Sequence, residues 1–412
     1  MKKVLILNSY GDKNIGDAAI LDAAIQFLEE SIKSRLEITI QSATPNSTTI
    51  NYKTKSRIKK VYSPYGYAIK ANNRHISSMT KIIKTIDITL RTLLYVAAPY
   101  IINENSIQLQ YYKSIKNADY IFSIGGGYIR TKNSVRDLFG LYLTLLPIWV
   151  SKFNKKKVFL LPMSFGNFAN NMHKNLAAFT LKNEKIMLRD NMSIKEFKSS
   201  GRADNSDLKM FPDLALFLDF KNTIKRTGSK NYIVITAREW MSHEKQHLYE
   251  TSLAEFIKYV WSKHQLRSVF IPMTWNSSED DDQRVAKRIG DILQSPHFFS
   301  ISNVRKPIEV QEIILHSRMA ICTRMHSSIL AATTNTPFFC IAYEHKTHGL
   351  LKLLNLSIWN IDIENVNLSE LINMFEKLMN ERYSFIKTLN LNHTKILKQR
   401  KYLQNQIQIF TQ

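Results

Sequence analysis

Residues 319–343 constrain the fold more than any other stretch of this 412-residue chain. They read MAICTRMHSSILAATTNTPFFCIAY, with an apolar run at 319–322, a polar turn, a small-residue segment at 327–334 and a second apolar run at 337–342. This pattern predicts a strand, a turn, a helix and a strand, which is the repeating unit of a parallel α/β sheet. In such a sheet the turn lies at the carboxyl end of its strand, where the first amides of the helix lack partners and attract an anion.

The turn contains Arg324 and His326. A guanidinium stays charged at any physiological pH, and an imidazole titrates near neutrality, so the pattern places a fixed cation and a proton donor beside the predicted anion site. An alternative interpretation is an ordinary helix N-terminus with a surface arginine and a capping threonine or serine. The other predicted strand ends favour the first interpretation.

The same alternation of apolar strand and polar exit recurs along the chain. In the first half, a strand at 4–7 precedes a polar loop, and a strand at 119–124 runs into glycines. In the second half, strands at 232–236 and 268–273 are each followed by polar residues. Two successive runs of this kind predict an α/β protein with two doubly wound, Rossmann-like domains facing each other across a cleft, the glycosyltransferase-B-like architecture.

A polar segment at 221–230 separates the two runs and marks the predicted domain boundary. We therefore expect an N-terminal α/β domain at 1–220 and a C-terminal α/β domain at 221–366. Residues 367–412 are predicted to form a lysine-rich helical segment that packs across both domains.

The loop at 8–17, NSYGDKNIGD, opens directly onto a helix predicted at 18–31. The loop is placed to meet a ligand, although it matches neither the dinucleotide fingerprint nor the Walker pattern. Asp17 stands just ahead of the predicted helix, where it fits two roles, a helix cap or a catalytic carboxylate.

Two further features follow predicted strands in the first half. Gly125, Gly126 and Gly127 follow one strand, and a run of glycines allows a ligand or another backbone to approach closely, although it also fits a tight turn. Arg189 follows another strand, and it either binds an anion or forms an ion pair with a nearby aspartate, Asp190 or Asp213.

The formal net charge of +23, from 57 basic and 34 acidic side chains, implies an anionic partner. Nucleic acid, an acidic membrane surface and phosphorylated substrates all fit, although a general richness in lysine, asparagine and isoleucine accounts for part of the excess. The basic residues are spread along the chain and form no zinc-finger, homeodomain or RNA-recognition signature. We therefore expect no binding to nucleic acid.

The sequence also indicates a cytoplasmic location. The two cysteines, Cys322 and Cys340, are too few for a secreted disulfide framework, and the first apolar run is too short for a signal peptide. The apolar stretches at 93–102 and 138–150 are short and interrupted by proline, so they are predicted to be core helices. The alternative is that one of them dips into a membrane face.

Six short motifs make the chain resemble the polysaccharide pyruvyl transferases, in the family's order over about residues 4–356. The motifs are N-x-G-D (Asn14, Gly16, Asp17), the glycine triplet (Gly125, Gly126, Gly127), L-R-D (Leu188, Arg189, Asp190), P-D-L-A (Pro212, Asp213, Leu214, Ala215), R-x-H (Arg324, His326) and Y-x-x-K-x-x-G (Tyr343, Lys346, Gly349). No single motif is specific, but the ordered set is.

The resemblance implies a glycosyltransferase-B-like enzyme that transfers the enolpyruvyl carbons of phosphoenolpyruvate to a sugar. The acceptor would belong to a surface polysaccharide or to its lipid-linked precursor, and the product would be a pyruvate ketal. An alternative with the same fold is a glycosyltransferase that uses a nucleotide sugar. An alternative of a different class is a basic protein that binds nucleic acid or a membrane.

Phosphoenolpyruvate carries a phosphate and a carboxylate, so its site requires at least two fixed cations together with helix N-terminal amides. Arg324 and Arg189 are the first candidates and Lys346 is the third, with Gly125, Gly126 and Gly127 in the same predicted site.

Ketal formation also requires a proton donor for the methylene carbon, and His326 is the predicted acid, with Asp17 as the candidate base for the sugar hydroxyl. This chemistry requires no metal and no cofactor besides the donor. His345 and His348 form an isolated H-x-x-H pair, which is a weak metal signal outside a zincin helix.

A lipid-linked acceptor would bring the enzyme to the inner face of the plasma membrane. The lysines near 52–60 and at 152–157 are candidates for peripheral contact with an anionic leaflet.

Overall fold

Two parallel sheets organise this protein. The structure is a computed structural model, and it describes residues 1–11, 13–52, 57–62, 78–97, 107–132, 135–201, 208, 210–219, 231–275, 281–294 and 298–412. The predicted linker at 221–230 lies outside the described residues. The chain divides into unit 1, formed by Met1–Asp12, Ile20–Leu214 and Lys401–Gln412, and unit 2, formed by Lys13–Ala19 and Ala215–Arg400.

The sheet of unit 1 has the doubly wound order predicted from the sequence. Its strands are β1 (Lys2–Ser9), β2 (Leu36–Ser42), β3 (Ile58–Tyr62), β4 (Tyr120–Ser123), β5 (Val158–Met163) and β6 (Lys185–Leu188). They lie in the order β3-β2-β1-β4-β5-β6, and every neighbouring pair is parallel. The order reverses between β1 and β4, and in open α/β sheets ligands bind at the carboxyl ends of the strands at such a switch point.

Helices cover the faces of this sheet. Strands such as β5 are therefore buried along their whole length, and their sequences are continuous apolar runs. The helices are α1 (Ile15–Ser31), α2 (Pro45–Tyr52), α3 (Ser78–Ala97), α4 (Ile107–Asn117), α5 (Val135–Phe153), α6 (Asn171–Leu181) and α7 (Asn191–Lys198). The apolar stretch predicted at 138–150 lies within α5, where Leu141, Leu145 and Ile148 are buried, as expected for a core helix.

The sheet of unit 2 repeats the same topology. Its strands are β7 (Tyr232–Thr236), β8 (Arg267–Phe270), β9 (Phe299–Ile301), β10 (Ala320–Cys322), β11 (Phe338–Ala342) and β12 (Asn360–Asp362). They lie in the parallel order β12-β11-β10-β7-β8-β9, so the switch point lies between β7 and β10. The prediction of two doubly wound α/β sheets is confirmed.

The strands of unit 2 alternate with helices in the same way. The helices are α8 (His243–His264), α9 (Asp282–Leu293), α10 (Pro307–His316), α11 (Met325–Thr333), α12 (His345–Leu353), α13 (Leu368–Asn380) and α14 (Arg382–Phe410). Short 3₁₀ helices lie at Leu214–Phe217 and Ile363–Asn365. Within the described part of the chain, no helix is both long enough and apolar enough to cross a membrane.

The last turns of α14 contribute to the core of unit 1 through Phe410. Its ring centroid lies 5.3 Å from that of Phe122 on β4 and 5.4 Å from that of Phe159 on β5. Aromatic contacts of this geometry stabilise a fold through buried area and ring electrostatics.

We expect Phe410→Ala to lower the free energy of unfolding of unit 1 by about 2–3 kcal/mol, because the substitution removes a partly buried ring and leaves a cavity. The neighbouring Ile409 is 60% exposed, so Ile409→Ala should change it by less than about 0.5 kcal/mol. Urea unfolding followed by circular dichroism measures both. Equal effects of the two substitutions would show that Phe410 does not anchor the helix.

Candidate functional site

The turn after β10 is tied to the end of β7, its neighbour at the switch point of unit 2. The backbone amide of Thr323 donates to the Thr236 hydroxyl at 3.0 Å, and that hydroxyl lies 3.0 Å from the Ser327 hydroxyl. Helix α11 begins at Met325, so Arg324 is its N-cap residue and His326 lies in its first turn. The sequence pattern predicted the turn, and the helix begins two residues earlier than the predicted segment at 327–334.

Arg324 forms a buried ion pair with Asp282, the first residue of α9. Its Nε donates to Asp282 Oδ2 at 3.1 Å and its terminal NH2 donates to Oδ1 at 2.5 Å. Arg324 is 8% exposed and Asp282 is 1% exposed, so the interpretation of a surface arginine is wrong. The amides of Met273 and Thr274 also donate to Oδ2, at 3.0 and 3.2 Å.

Asp282 is not among the site residues predicted from the sequence. An acidic run fits the positive end of any helix dipole, so Asp282 carries no local signal that distinguishes it from a structural residue. The pair joins residues 42 positions apart, and no motif spacing links them.

Gly16 lies directly against the imidazole ring of His326. A methyl group on Gly16 would come within 2.2 Å of His326 Nδ1, which is far inside van der Waals contact. The segment Lys13–Ala19 is held there by backbone pairing, because the Ile15 amide donates to the Met273 carbonyl at 2.9 Å and the Trp275 amide donates to the Lys13 carbonyl at 3.2 Å. Two of the sequence motifs, N-x-G-D and R-x-H, therefore meet in unit 2.

The start of α1 corrects the interpretation of Asp17 as a helix cap. The helix begins at Ile15 rather than at 18, and the Asn14 side chain accepts from the amides of Gly16 and Asp17 at 2.8 and 3.4 Å. Asn14 is the cap because asparagine fills this position as well as aspartate does and stands one residue before the helix. Asp17 lies in the first turn, partly exposed and adjacent to Gly16, and its catalytic role stays a prediction.

A second arginine, Arg238, follows β7 at the same sheet edge and is not among the site residues predicted from the sequence. The guanidinium carbon of Arg238, after β7, is 4.8 Å from the ring centroid of Trp240 and 4.3 Å from that of Tyr343, after β11. Burial raises the pKa of Tyr343, and the nearby guanidinium groups of Arg238 and Arg324 partly offset that rise. Arg238 could have been predicted from its position in the sequence, because it follows β7, the strand next to β10.

Lys346 lies in the first turn of α12, on the connection that follows β11, and is partly buried. Because β11 pairs with β10, Lys346 and Arg324 follow neighbouring strands of one sheet. His348, close by in the sequence, lies 3.3 Å from Asp362 with both side chains about half exposed. No cluster of three or more histidine, cysteine or acidic side chains suited to a metal occurs among the residues that the structure describes.

In unit 1, Ser164 links the glycine triplet to Arg189. The Ser164 amide donates to the Gly126 carbonyl at 2.8 Å, and its hydroxyl accepts from Arg189 Nε at 2.9 Å and donates to Asp190 at 2.8 Å. Arg189 also forms a buried ion pair with Asp213, which confirms the ion-pair interpretation. Its role in anion binding stays a prediction.

The glycine triplet meets a structural requirement at two of its positions. A methyl group on Gly125 would come within 2.2 Å of the carbonyl oxygen of Pro162 on the neighbouring strand, and Gly126 has a φ of 150°. Both positions therefore exclude other residues without any ligand, through close backbone approach and backbone conformation. Gly127 is partly exposed, and ligand binding by the triplet stays a prediction.

The two sheets and their polar switch points define a glycosyltransferase-B-like α/β protein. A solved structure of similar fold is UDP-GlcNAc 2-epimerase from Neisseria meningitidis, with TM-score 0.55, 13% identity and coverage of 98% of this chain and 100% of that chain. Another is UDP-GlcNAc 2-epimerase from Methanocaldococcus jannaschii, with TM-score 0.54, 12% identity and coverage of 91% and 92%. A third is the N-terminal domain of trehalose-6-phosphate phosphatase from Candida albicans, with TM-score 0.57, 12% identity and full coverage of both chains.

Sequence comparison gives the family. The family model for polysaccharide pyruvyl transferase matches residues 14–345, and the chain belongs to this family. A curated relative is the amylovoran biosynthesis protein AmsJ of Erwinia amylovora, which is 24% identical over 277 residues. That match covers 62% of this chain and 64% of the relative, so it spans just under two thirds of the relative's length.

Gly16→Ala tests the contact with His326. The added methyl group must displace the imidazole ring or the backbone of α1, so we expect a loss of about 1–3 kcal/mol in the free energy of unfolding. Gly140 in α5 has open space around it, and Gly140→Ala should leave stability equal or higher. Thermal unfolding compares the two variants, and equal melting temperatures would contradict the close contact.

Asp282→Asn tests the buried ion pair. Removing the carboxylate charge takes away the counter-charge that Asp282 provides to the buried Arg324 guanidinium, which should cost about 3 kcal/mol of stability. The adjacent Asp281 caps α9 through the Gln283 amide, and Asp281→Asn keeps a capping oxygen, so it should cost less than about 0.5 kcal/mol. Chemical unfolding of both variants gives the comparison, and a near-neutral Asp282→Asn would show that Arg324 does not depend on this carboxylate.

Proposed function

We propose that this protein transfers the enolpyruvyl carbons of phosphoenolpyruvate to a sugar of a surface polysaccharide or of its lipid-linked precursor. The products would be a pyruvate ketal on the sugar and inorganic phosphate. The proposal rests chiefly on one contact, that of Gly16 with His326, which joins two sequence motifs inside a chain of the polysaccharide pyruvyl transferase family.

Binding of the donor is assigned to the edge of the sheet in unit 2. Arg324 would orient an acidic group of phosphoenolpyruvate beside the first amides of α11, because Asp282 fixes its guanidinium in one plane. Since Asp282 offsets much of the charge of Arg324, a trianionic donor needs further positive charge. Arg238 and Lys346 follow the two strands on either side of β10 and are the candidates in this unit.

In unit 1, the anion-binding role of Arg189 stays a prediction. Its pair with Asp213 and its bond to Ser164 fix its guanidinium in the same manner. The glycine triplet reaches Ser164 through Gly126, so these predicted site residues form one connected group within their unit.

His326 is assigned the role of general acid. It would protonate the methylene carbon of phosphoenolpyruvate, which places positive charge on the carbon that bears the phosphate. The backbone of Gly16 restrains the imidazole ring, and a restrained ring keeps its proton aimed at one point in space.

The remaining steps bond two sugar oxygens to this carbon and release phosphate. A first sugar hydroxyl attacks the electron-deficient carbon and gives up its proton, for which Asp17 is the candidate base. The bond between that carbon and the phosphate oxygen then breaks. A second hydroxyl attacks the same carbon and closes the ketal ring. The two hydroxyl protons balance the proton added to the methylene carbon and the one taken up with the departing phosphate.

The acceptor is proposed to be lipid-linked and presented at the inner face of the plasma membrane, with the protein in the cytoplasm. The excess of basic residues supports contact with an anionic surface. No metal, no added cofactor and no nucleic acid enter the proposal.

Incubation with phosphoenolpyruvate and a panel of lipid-linked and aryl glycosides should give a pyruvyl ketal by mass spectrometry, together with released phosphate. His326→Ala should reduce the rate by about 100- to 10,000-fold, because it removes the proton donor. His247 is exposed on α8, and His247→Ala serves as the matched control with unchanged rate.

Two results would contradict the proposal in different ways. An unchanged rate in the His326→Ala variant would remove the acid from the mechanism but keep the reaction. Consumption of a nucleotide sugar without any use of phosphoenolpyruvate would instead establish the alternative, a glycosyltransferase of the same fold.

A further inference from the structure

Helix α3 carries a continuous stripe of large apolar side chains that face solvent. The stripe consists of Met79, Ile83, Ile86, Leu90, Leu93 and Leu94, each between 49% and 68% exposed. The first five are spaced by three or four residues and Leu94 directly follows Leu93, so all six lie on one face of the helix, over a length of about 23 Å. Scattered exposed apolar residues are ordinary, but a contiguous stripe of this kind marks a surface that binds something apolar.

The opposite face of α3, which packs on unit 1, combines small polar groups with Ile88 and the ring of Tyr95. Thr85 and Thr92 are buried, and the Thr92 hydroxyl donates to the Ile88 carbonyl at 2.7 Å. The Thr89 hydroxyl lies 2.9 Å from the hydroxyl of Tyr142 on α5. The helix therefore buries Thr85 and Thr92 together with Ile88 and Tyr95, and it still leaves six other large apolar side chains exposed to water.

The charge around the stripe favours an anionic lipid surface as the partner. Helices α4 and α5 pack against α3, α4 contains no acidic residue, and the exposed carboxylate of Asp87 on α3 itself is paired with Arg91 at 2.8 Å. Lys113 and Lys116 on α4 are exposed, as are Lys155 and Lys157 just after α5. Phe153, at the end of α5, is 68% exposed and adds an aromatic side chain to this basic end of the helix layer.

A second copy of the chain fits this surface less well. Each copy carries a formal charge of +23, so two basic faces brought together repel each other, whereas an anionic leaflet attracts each of them. A helix with an apolar stripe and basic neighbours lies in the plane of a bilayer surface, with the stripe in the boundary between head groups and acyl chains.

We propose that α3 is an interfacial membrane-binding helix, which inserts the stripe from Met79 to Leu94 into an anionic leaflet while the lysines of its neighbours contact the head groups. The proposal assigns to one helix a membrane contact for which the basic composition gives no location. Binding through this surface does not depend on which donor the enzyme uses.

Flotation of the full-length protein with vesicles tests the surface. The vesicles contain either phosphatidylcholine alone or phosphatidylcholine with phosphatidylglycerol, at physiological salt. The stripe variant combines Ile86→Glu with Leu90→Glu. The matched control combines Leu248→Glu with Leu391→Glu, two leucines of α8 and α14 that are 65% and 58% exposed, so both variants change the charge equally.

We expect the wild type and the control to float with the anionic vesicles and the stripe variant to float at least 10-fold less. Transfer of pyruvate to a water-soluble aryl glycoside should be the same in all three proteins, which shows that the variants are folded. Flotation that depends on the stripe, in a protein without any pyruvyl transfer, would refute the proposed function and leave the membrane surface in place.

Two outcomes overturn the membrane surface. One is equal flotation of the stripe variant and the control, which would mean that the lysines alone bind the lipid. The other is a wild-type dimer in light scattering that the stripe variant dissociates, with no flotation of the wild type, which would assign the stripe to a second copy of the chain.

Discussion

The buried ion pair between Arg324 and Asp282 is the interaction on which the site of unit 2 depends. Two charges removed from water are tolerated only when the geometry is good and the remaining polar atoms are satisfied. Here the carboxylate accepts from two nitrogens of the guanidinium and from the amides of Met273 and Thr274. One carboxylate therefore fixes the start of α9, the turn after β10 and the chain after β8, and the position of His326 follows from that turn.

The segment Lys13–Ala19 completes this arrangement from the amino-terminal end of the chain. Its backbone pairs with residues 273–275, the same stretch whose amides hold Asp282, so the ion pair and the Gly16 contact share one support. A glycine at position 16 is required by the ring of His326, since any side chain would occupy the space of the imidazole. The regular sheets thus act as a frame, and Arg324 and His326 lie on the connection after β10, at the switch point of unit 2.

The surface of unit 1 carries a second specialisation. Helix α3 exposes a stripe of large apolar side chains, while α4 and the residues just after α5 expose lysines. A basic composition by itself is compatible with many anionic partners. An apolar stripe next to basic residues favours a lipid surface over free anions in solution. A membrane-bound enzyme would then reach a lipid-linked acceptor by diffusion in two dimensions.

The sequence by itself determined the alternation of strands and helices, the two doubly wound sheets, and the placement of Arg324 and His326 at the start of a helix. These features depend on local sequence. The spacing of apolar residues, and the polar residues that follow each strand, can both be recognised within a short stretch of the chain. Only the tertiary structure decided that Asp282 pairs with Arg324, that Gly16 packs on His326 and that Asn14 rather than Asp17 caps α1. The first two contacts join residues that are distant in sequence. The start of α1 lies earlier than predicted because residues 13–15 are held by pairing with residues 273–275. No local sequence pattern could therefore encode these three features.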